Sequence, residues 1–394
     1  MTKRTLEIET TILAIFNELV GYKGSDIGLL TGDSGHLLFD WYFQKKFDGY
    51  VNNSYFEKKL EAIQSSIGSA TTDLSICKGL TGVAWLFELV LKESGEAYSY
   101  TFNAPTDRLL ERLTEPESWD GEMEFILGIS GLSPYAARRL QNGRGGRIIE
   151  NIYNVHCSKV SLFGDDEASW ETPHKSVYRL NRDQEHQEFN LGLAHGVPGI
   201  ILSLIPATGI NSTRVEAKKL ILKASNWLIQ QKKENPKQSS FGYVSGDNAN
   251  SRLGWCYGDL GIAIALARAG ECLQNENLKH EALEIALKAS TRDIQSSGVV
   301  DASVCHGSAG IAMLFDRLDN VFEHPDLRSA KHYWINDILY RYKKNGLSGL
   351  SYYDNCTDKY TRDYSLLNGI AGVGLVLLTE LGVKPEWSDV LLLQ

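Results

Sequence analysis

Val304-Cys305-His306-Gly307-Ser308-Ala309-Gly310 repeats, 49 residues on, the plan of Trp255-Cys256-Tyr257-Gly258-Asp259-Leu260-Gly261. Each stretch sets one or two soft metal-ligand side chains directly before a G-x-x-G that opens an apolar run. Cys256, Cys305 and His306 together offer two thiolates and one imidazole, a set that suits zinc with an open fourth position. A third line, Leu193-Ala194-His195-Gly196-Val197-Pro198-Gly199, puts His195 where His306 sits. Taken alone, each cysteine reads as an inert buried thiol and His195 as a hydrogen-bonded turn histidine. Their equivalent places in a repeat are what argue for a metal site.

The repeat runs through the whole chain. G-x-x-G followed by an apolar run begins at Gly32, Gly79, Gly128, Gly196, Gly258, Gly307 and Gly369. Three further G-x-x-G matches, at Gly21, Gly143 and Gly346, open no sustained apolar stretch. The runs after the glycines, such as Ile262–Ala267 and Ile311–Phe315, are apolar nearly all round, as interior helices are. Each is paired with an amphipathic segment of helical spacing: Arg4–Leu19, Ser54–Ile67, Ala104–Leu113, Gly146–Ser158, Thr213–Gln231, Leu278–Ile294 and Leu327–Lys344. Thr213 and Glu216 have the spacing of a capping box for the fifth.

Seven apolar and seven amphipathic helices predict an all-α fold in one domain, residues 1–394. Its form is an (α/α) toroid of seven helix pairs, with inner and outer helical rings. The alternative is an open helical solenoid, in which residues two repeats apart do not meet. If the glycine turns share one end of the barrel, Cys256, Cys305 and His306 share it too. Helix starts there also present free N–H groups that favour anions such as thiolate or enolate.

Two segments break the rhythm. Residues 159–190 are polar and acidic, with Gly164-Asp165-Asp166-Glu167 and Arg182-Asp183-Gln184-Glu185, and show no helical period. They read either as an extended insertion at the rim, able to bind a peptide or partner, or as a disordered loop. Residues 345–366 are rich in tyrosine, including Tyr352, Tyr353, Tyr360 and Tyr364, and are placed to cover the barrel mouth.

Composition narrows the function classes. The chain of 394 residues is 43% hydrophobic and 23% charged, a globular balance, and its net charge of −9 gives no electrostatic case for nucleic acid. The start lacks the uninterrupted apolar core of a signal peptide, and the run Gly369–Leu378 is too short to span a bilayer. The expectation is a cytoplasmic protein, not an integral membrane one, with peripheral membrane association left open. The six cysteines, Cys77, Cys157, Cys256, Cys272, Cys305 and Cys356, contain no C-x-x-C and outline neither a disulfide framework nor a zinc finger.

At these residues the chain resembles the lantibiotic cyclases, the LanC-type lanthionine synthetases and their LanC-like relatives. The matching motifs are Gly254-Trp255-Cys256-Tyr257-Gly258, Cys305-His306-Gly307-Ser308-Ala309-Gly310, Leu191-Gly192-Leu193-Ala194-His195-Gly196 and Leu367-Asn368-Gly369-Ile370-Ala371-Gly372. The resemblance implies the toroid, and one Zn2+ per chain on Cys256, Cys305 and His306. It implies Michael addition of a cysteine thiol to dehydroalanine or dehydrobutyrine in a dehydrated precursor peptide. A dehydratase and an export transporter are the implied partners.

The residues suit that chemistry. A thiol is mostly protonated at neutral pH while its thiolate is the nucleophile, and zinc coordination deprotonates it. His195 fits the acid that protonates Cα, Arg252 a guanidinium for a carboxylate or the enolate oxygen, and Tyr257 a hydrogen-bond donor. Arg252 also reads as a surface ion pair and Tyr257 as packing. The family's aspartate before the third glycine turn is absent. Glu124 is the best positional match, one methylene longer, with Glu122 and Asp120 as alternatives. Two further functions remain: addition of glutathione to dehydroamino acids, and a non-catalytic zinc-stabilised scaffold of a peptide-modification complex.

Overall fold

The structure is a computed structural model that describes residues 2–22, 24, 26–50, 53–67, 73–94, 101–181, 186–234 and 237–393. The acidic run 182–185 lies outside the described residues. The chain forms two compact units: Met1–Tyr98 with Val299–Met313 and Ser329–Gln394, and Ser99–Gly298 with Leu314–Arg328.

Helices dominate both. In chain order they are α1 (Lys3–Val20), α2 (Asp33–Lys46), α3 (Asn53–Ser66), α4 (Leu80–Glu93), α5 (Ala104–Leu113), α6 (Ser133–Leu140) and α7 (Gly146–Ser158). Then follow α8 (Val197–Leu204), α9 (Arg214–Gln230), α10 (Asp259–Leu273), α11 (Glu276–Ser290), α12 (Ser308–Phe322), α13 (Pro325–Asn345) and α14 (Ile370–Glu380). The odd-numbered helices coincide, within a few residues, with the expected amphipathic segments. Six of the even-numbered ones start directly after the first glycine of a turn, while at the third turn a 3-10 helix, Ile129–Leu132, comes between Gly128 and α6.

Burial follows the pattern. Every residue from Ile370 to Leu378 of α14 is buried, and α10 is buried from Asp259 to Ala267. Each fully buried Leu, Ile or Val among them contributes about 1.5–3 kcal/mol of transfer free energy. In the first unit α14 packs on α1 and α2, and α2 packs on α4. In the second, α10 packs on α8, α9 and α11. Helix α6 departs from the apolar rule. Its fully buried Arg139 donates from Nε to Asp107 Oδ1 of α5 at 3.0 Å, and Tyr135 donates to the same oxygen at 2.7 Å. A buried charge needs such partners.

The glycine turns are built alike. Six residues before the first glycine stand Asp26, Asp73, Glu122, Asn190, Arg252, Asp301 and Asp363. In six of these turns the carbonyl of that residue accepts the N–H of the residue just after the glycine, as in Asp33 to Asp26 at 2.9 Å and Ser308 to Asp301 at 3.1 Å. Five also use the side chain: Asp26, Asp73, Asn190, Asp301 and Asp363 each accept the N–H two residues on. The fifth turn differs, for Arg252 has no acceptor side chain and Gly258 takes φ 105°, which favours glycine. At Gly35, Gly82, Gly199, Gly310 and Gly372 the second glycine of the pair lets the helix start approach a turn carbonyl. A Cβ on Gly310 would lie 1.8 Å from the Val304 carbonyl oxygen.

Main-chain hydrogen bonds lace neighbouring turns together. In the first unit Cys305 N–H reaches the Leu367 carbonyl at 2.9 Å, Leu367 reaches Leu30 at 2.9 Å, and Leu30 reaches Cys77 at 3.0 Å. In the second, Phe125 N–H reaches Ala194 at 3.2 Å and Ala194 reaches Cys256 at 3.3 Å.

One expected cap is absent. Thr213 precedes α9, but its backbone is already in the helical region and its hydroxyl donates to the Ala207 carbonyl at 2.7 Å. The hydroxyl is thereby turned from the helix, and Glu216 pairs with Lys219 at 2.8 Å. Spacing alone does not make a capping box when another acceptor competes. Each of the two segments without helical period contains a short hairpin among its described residues. Strands β1 (Ser161–Phe163) and β2 (Glu167–Ser169) pair antiparallel, as do β3 (Tyr352–Asp354) and β4 (Lys359–Thr361). No described helix is long and apolar enough to cross a membrane.

Candidate active site and metal ligands

In the second unit, His195 stands in the turn before α8, half-buried, with Ala194 held to the Cys256 carbonyl by its N–H. Its Nδ1 lies 2.9 Å from Glu124 Oε2. Glu124 is buried, and its Oε2 also accepts the Ile126 N–H at 2.8 Å, so the carboxylate is fixed by its own turn before it meets the imidazole. The extra methylene is taken up by this backbone cradle. Asp120 is exposed, while Glu122 points to Ser176. Burial, then the charge of Glu124, raises the Glu122 carboxyl, and the Ser176 hydrogen bond partly offsets this.

Two aromatic rings flank the imidazole. Tyr178 stacks on it at 3.8 Å between centroids and 16° between planes, and Tyr257 stands 5.8 Å away at 46°. The Tyr257 oxygen accepts from Asn190 Nδ2 at 2.9 Å, which leaves its own O–H to donate outward. Burial raises the Tyr257 phenol well above its ordinary range, so it stays a donor at neutral pH. Arg252 is placed by its main chain: its N–H donates to the Tyr243 oxygen at 3.1 Å, and its Cβ lies 3.2 Å from where a Cβ on Gly298 would stand. Cys256, two residues before Gly258, is 7% exposed and free of any disulfide.

In the first unit, Cys305 and His306 precede α12. Cys305 forms no disulfide and is half-buried, and His306 is buried. The His306 Nε2 lies 3.4 Å from Asp301 Oδ2, and Asp301 is fully buried. Asp301 also accepts the N–H groups of Ser303 and Tyr353, each at 2.9 Å. Burial alone would raise this carboxyl, but the hydrogen bond and charge of His306, with those N–H groups, hold it below the usual range. A carboxylate behind one ring nitrogen is the arrangement metal-binding histidines use, leaving Nδ1 to bind. The Tyr352 ring, brought by the β3–β4 hairpin, lies 5.4 Å from His306, and burial followed by the Cys305 charge pushes its phenol up to about 12. Two thiols and an imidazole backed by a carboxylate form a donor set that fits zinc.

Sequence reasoning missed Asp301, Asn190 and Tyr178. The first two carried a signal: both stand six residues before the first glycine of their turns. Tyr178 carried none, because it lies in the segment without period.

A family model described as lanthionine synthetase C-like protein matches residues 25–392. The nisin biosynthesis protein NisC of Lactococcus lactis subsp. lactis is 25% identical over 315 residues, covering 71% of this chain and 69% of that protein. A solved structure of nisin cyclase matches with a TM-score of 0.75 at 20% identity, over 98% of this chain and 96% of that one. The last likeness carries the fold class, the all-α (α/α) toroid expected from the glycine repeat.

Proposed function

The chain belongs to the lanthionine synthetase C-like family, a family of lanthionine cyclases, and on that premise we propose that it is a zinc-dependent peptide cyclase. It joins a cysteine thiol to a dehydroalanine or dehydrobutyrine of the same precursor peptide by Michael addition. A dehydratase supplies the dehydroamino acid, and an export transporter takes the product.

Cys256, Cys305 and His306 hold one Zn2+ per chain. When bound, the ion keeps a substrate thiol deprotonated, and two protein thiolates beside it leave that sulfur electron-rich. The proton work falls to His195. With Nδ1 held by Glu124, Nε2 is the nitrogen that takes the thiol proton and delivers it to Cα once the C–S bond has formed. The S–H thus adds across the C=C with no atom lost. Tyr257, kept protonated by burial, donates to the developing enolate oxygen, and the Arg252 guanidinium balances its charge.

The observation that carries this reading is the His195–Glu124 pair. A carboxylate cradled by its own backbone N–H group and aimed at one imidazole nitrogen is the orientation device of acid–base histidines. The test is cyclisation of a dehydrated precursor. Ring closure leaves mass unchanged, so free thiols are counted by alkylation and mass spectrometry. Thiols should disappear with the zinc-loaded protein and persist after chelation. A folded, zinc-loaded protein that leaves every thiol alkylatable sinks the proposal, and glutathione adducts without rings favour the glutathione reading.

A further inference from the structure

Residues 171–181 and 186–189 lie outside the seven-turn framework, yet they are tied down by buried charge. Arg179, 2% exposed, donates to the Thr172 carbonyl at 3.2 Å and to that of His186. Glu188, 4% exposed, accepts the N–H groups of Leu180 at 2.8 Å and Asn181 at 2.7 Å. Thr172 N–H closes the loop on the Glu188 carbonyl at 2.7 Å. Burying two charged side chains to satisfy loop backbone costs several kcal/mol unless both are fully bonded. What they hold in place is Tyr178.

Tyr178 N–H donates to Ser176 Oγ at 3.2 Å, and its carbonyl accepts from Asn190 Nδ2 at 3.4 Å. Its ring lies nearly flat on His195, although both side chains remain partly open to solvent. One hydrogen bond at Nδ1 holds one edge of the imidazole but, being tolerant in angle, still allows its plane to tilt. A second ring at stacking distance removes that freedom.

We propose that Tyr178 is a positioning residue for His195: delivered by the anchored stretch 171–181, it fixes the imidazole plane while Glu124 fixes the Nδ1 edge. Together they aim Nε2. The proposal rests on the reading of His195 as the proton carrier and assigns the unpatterned segment a task in that chemistry. Tyr178→Phe keeps the ring face, whereas Tyr178→Leu and Tyr178→Ala remove it.

The experiment pairs two readouts on the full, zinc-loaded chain. In NMR spectra the His195 ring protons should be shifted upfield in the wild type and in Tyr178→Phe, and should lose that shift in Tyr178→Leu. In thiol-loss kinetics, Tyr178→Leu and Tyr178→Ala should lower kcat about tenfold with KM within about twofold, while Tyr178→Phe restores at least about half of kcat. Zinc content should be the same in all. Wild-type ring protons without an upfield shift overturn the proposal, as does Tyr178→Leu with unchanged kcat, or Tyr178→Phe as slow as Tyr178→Ala. The ring-proton readout needs no turnover, so it stands apart from the cyclase reading.

Discussion

His195 and His306 occupy the same position in two copies of one turn, but opposite nitrogens are engaged. At His195 a carboxylate from a different turn, Glu124, takes Nδ1, and Tyr178 covers the ring face. At His306 the turn's own Asp301 faces Nε2, and Tyr352 stands beside the ring. The backbone is common to both, and the partner decides which nitrogen is left to work. Holding Nδ1 frees the more exposed Nε2 for proton transfer, whereas holding Nε2 turns Nδ1, next to the main chain, into a fixed ligand. On the proposed reading, one scaffold position serves once as an acid–base group and once as a metal ligand.

The sharpest break of this contrast is a double dissociation. Cys305→Ala should lose zinc and all cyclisation, while His195→Asn should keep about one zinc per chain and lose about 10²–10⁴-fold in kcat. Metal analysis alongside thiol-loss rates decides it, and zinc loss in His195→Asn would erase the distinction.

A smaller effect comes from the carboxylates behind the two rings. Asp301→Asn should weaken zinc affinity about 10–100-fold, measured by competition with a chelator. Glu124→Gln should leave that affinity unchanged and slow turnover about tenfold or more. Identical outcomes for the two variants would mean that the carboxylates have no separate tasks.

A third histidine sharpens the comparison at the low end. His156 is fully buried, with no carboxylate paired to it among the described residues and its Nε2 3.0 Å from Ser130 Oγ. Burial, with a further push from Lys159, drives it down to about 3 from 6.5. The unfolded chain therefore binds a proton here that the folded one refuses, so stability is complete above about pH 6.5 and falls as pH drops. Between pH 7 and pH 5 the protein should lose about 2 kcal/mol at this site. Urea titrations at the two pH values should show that loss in the wild type and a smaller one in His156→Gln.

Much of this was legible in sequence, for specific reasons. The glycine pair marks the helix starts because no other residue fits where Gly310 meets the Val304 carbonyl. The amphipathic helices announced themselves by period. Three carboxylates stood open at the third turn, and only coordinates place Glu124 at His195. Thr213 misled because its hydroxyl has a better acceptor in Ala207. Tyr178 was illegible, since a loop held by Arg179 and Glu188 obeys no periodicity that a sequence could display.

The lacing of the turns through Cys305, Leu367, Leu30 and Cys77 uses peptide groups only. Side-chain identity at these four places is consequently decoupled from the architecture: two leucines and two cysteines occupy one kind of socket without altering the join. A chain built this way can acquire or discard a ligand by a single codon change while its frame stands. Chemistry in such a protein is a lodger in the fold, able to change while the house does not.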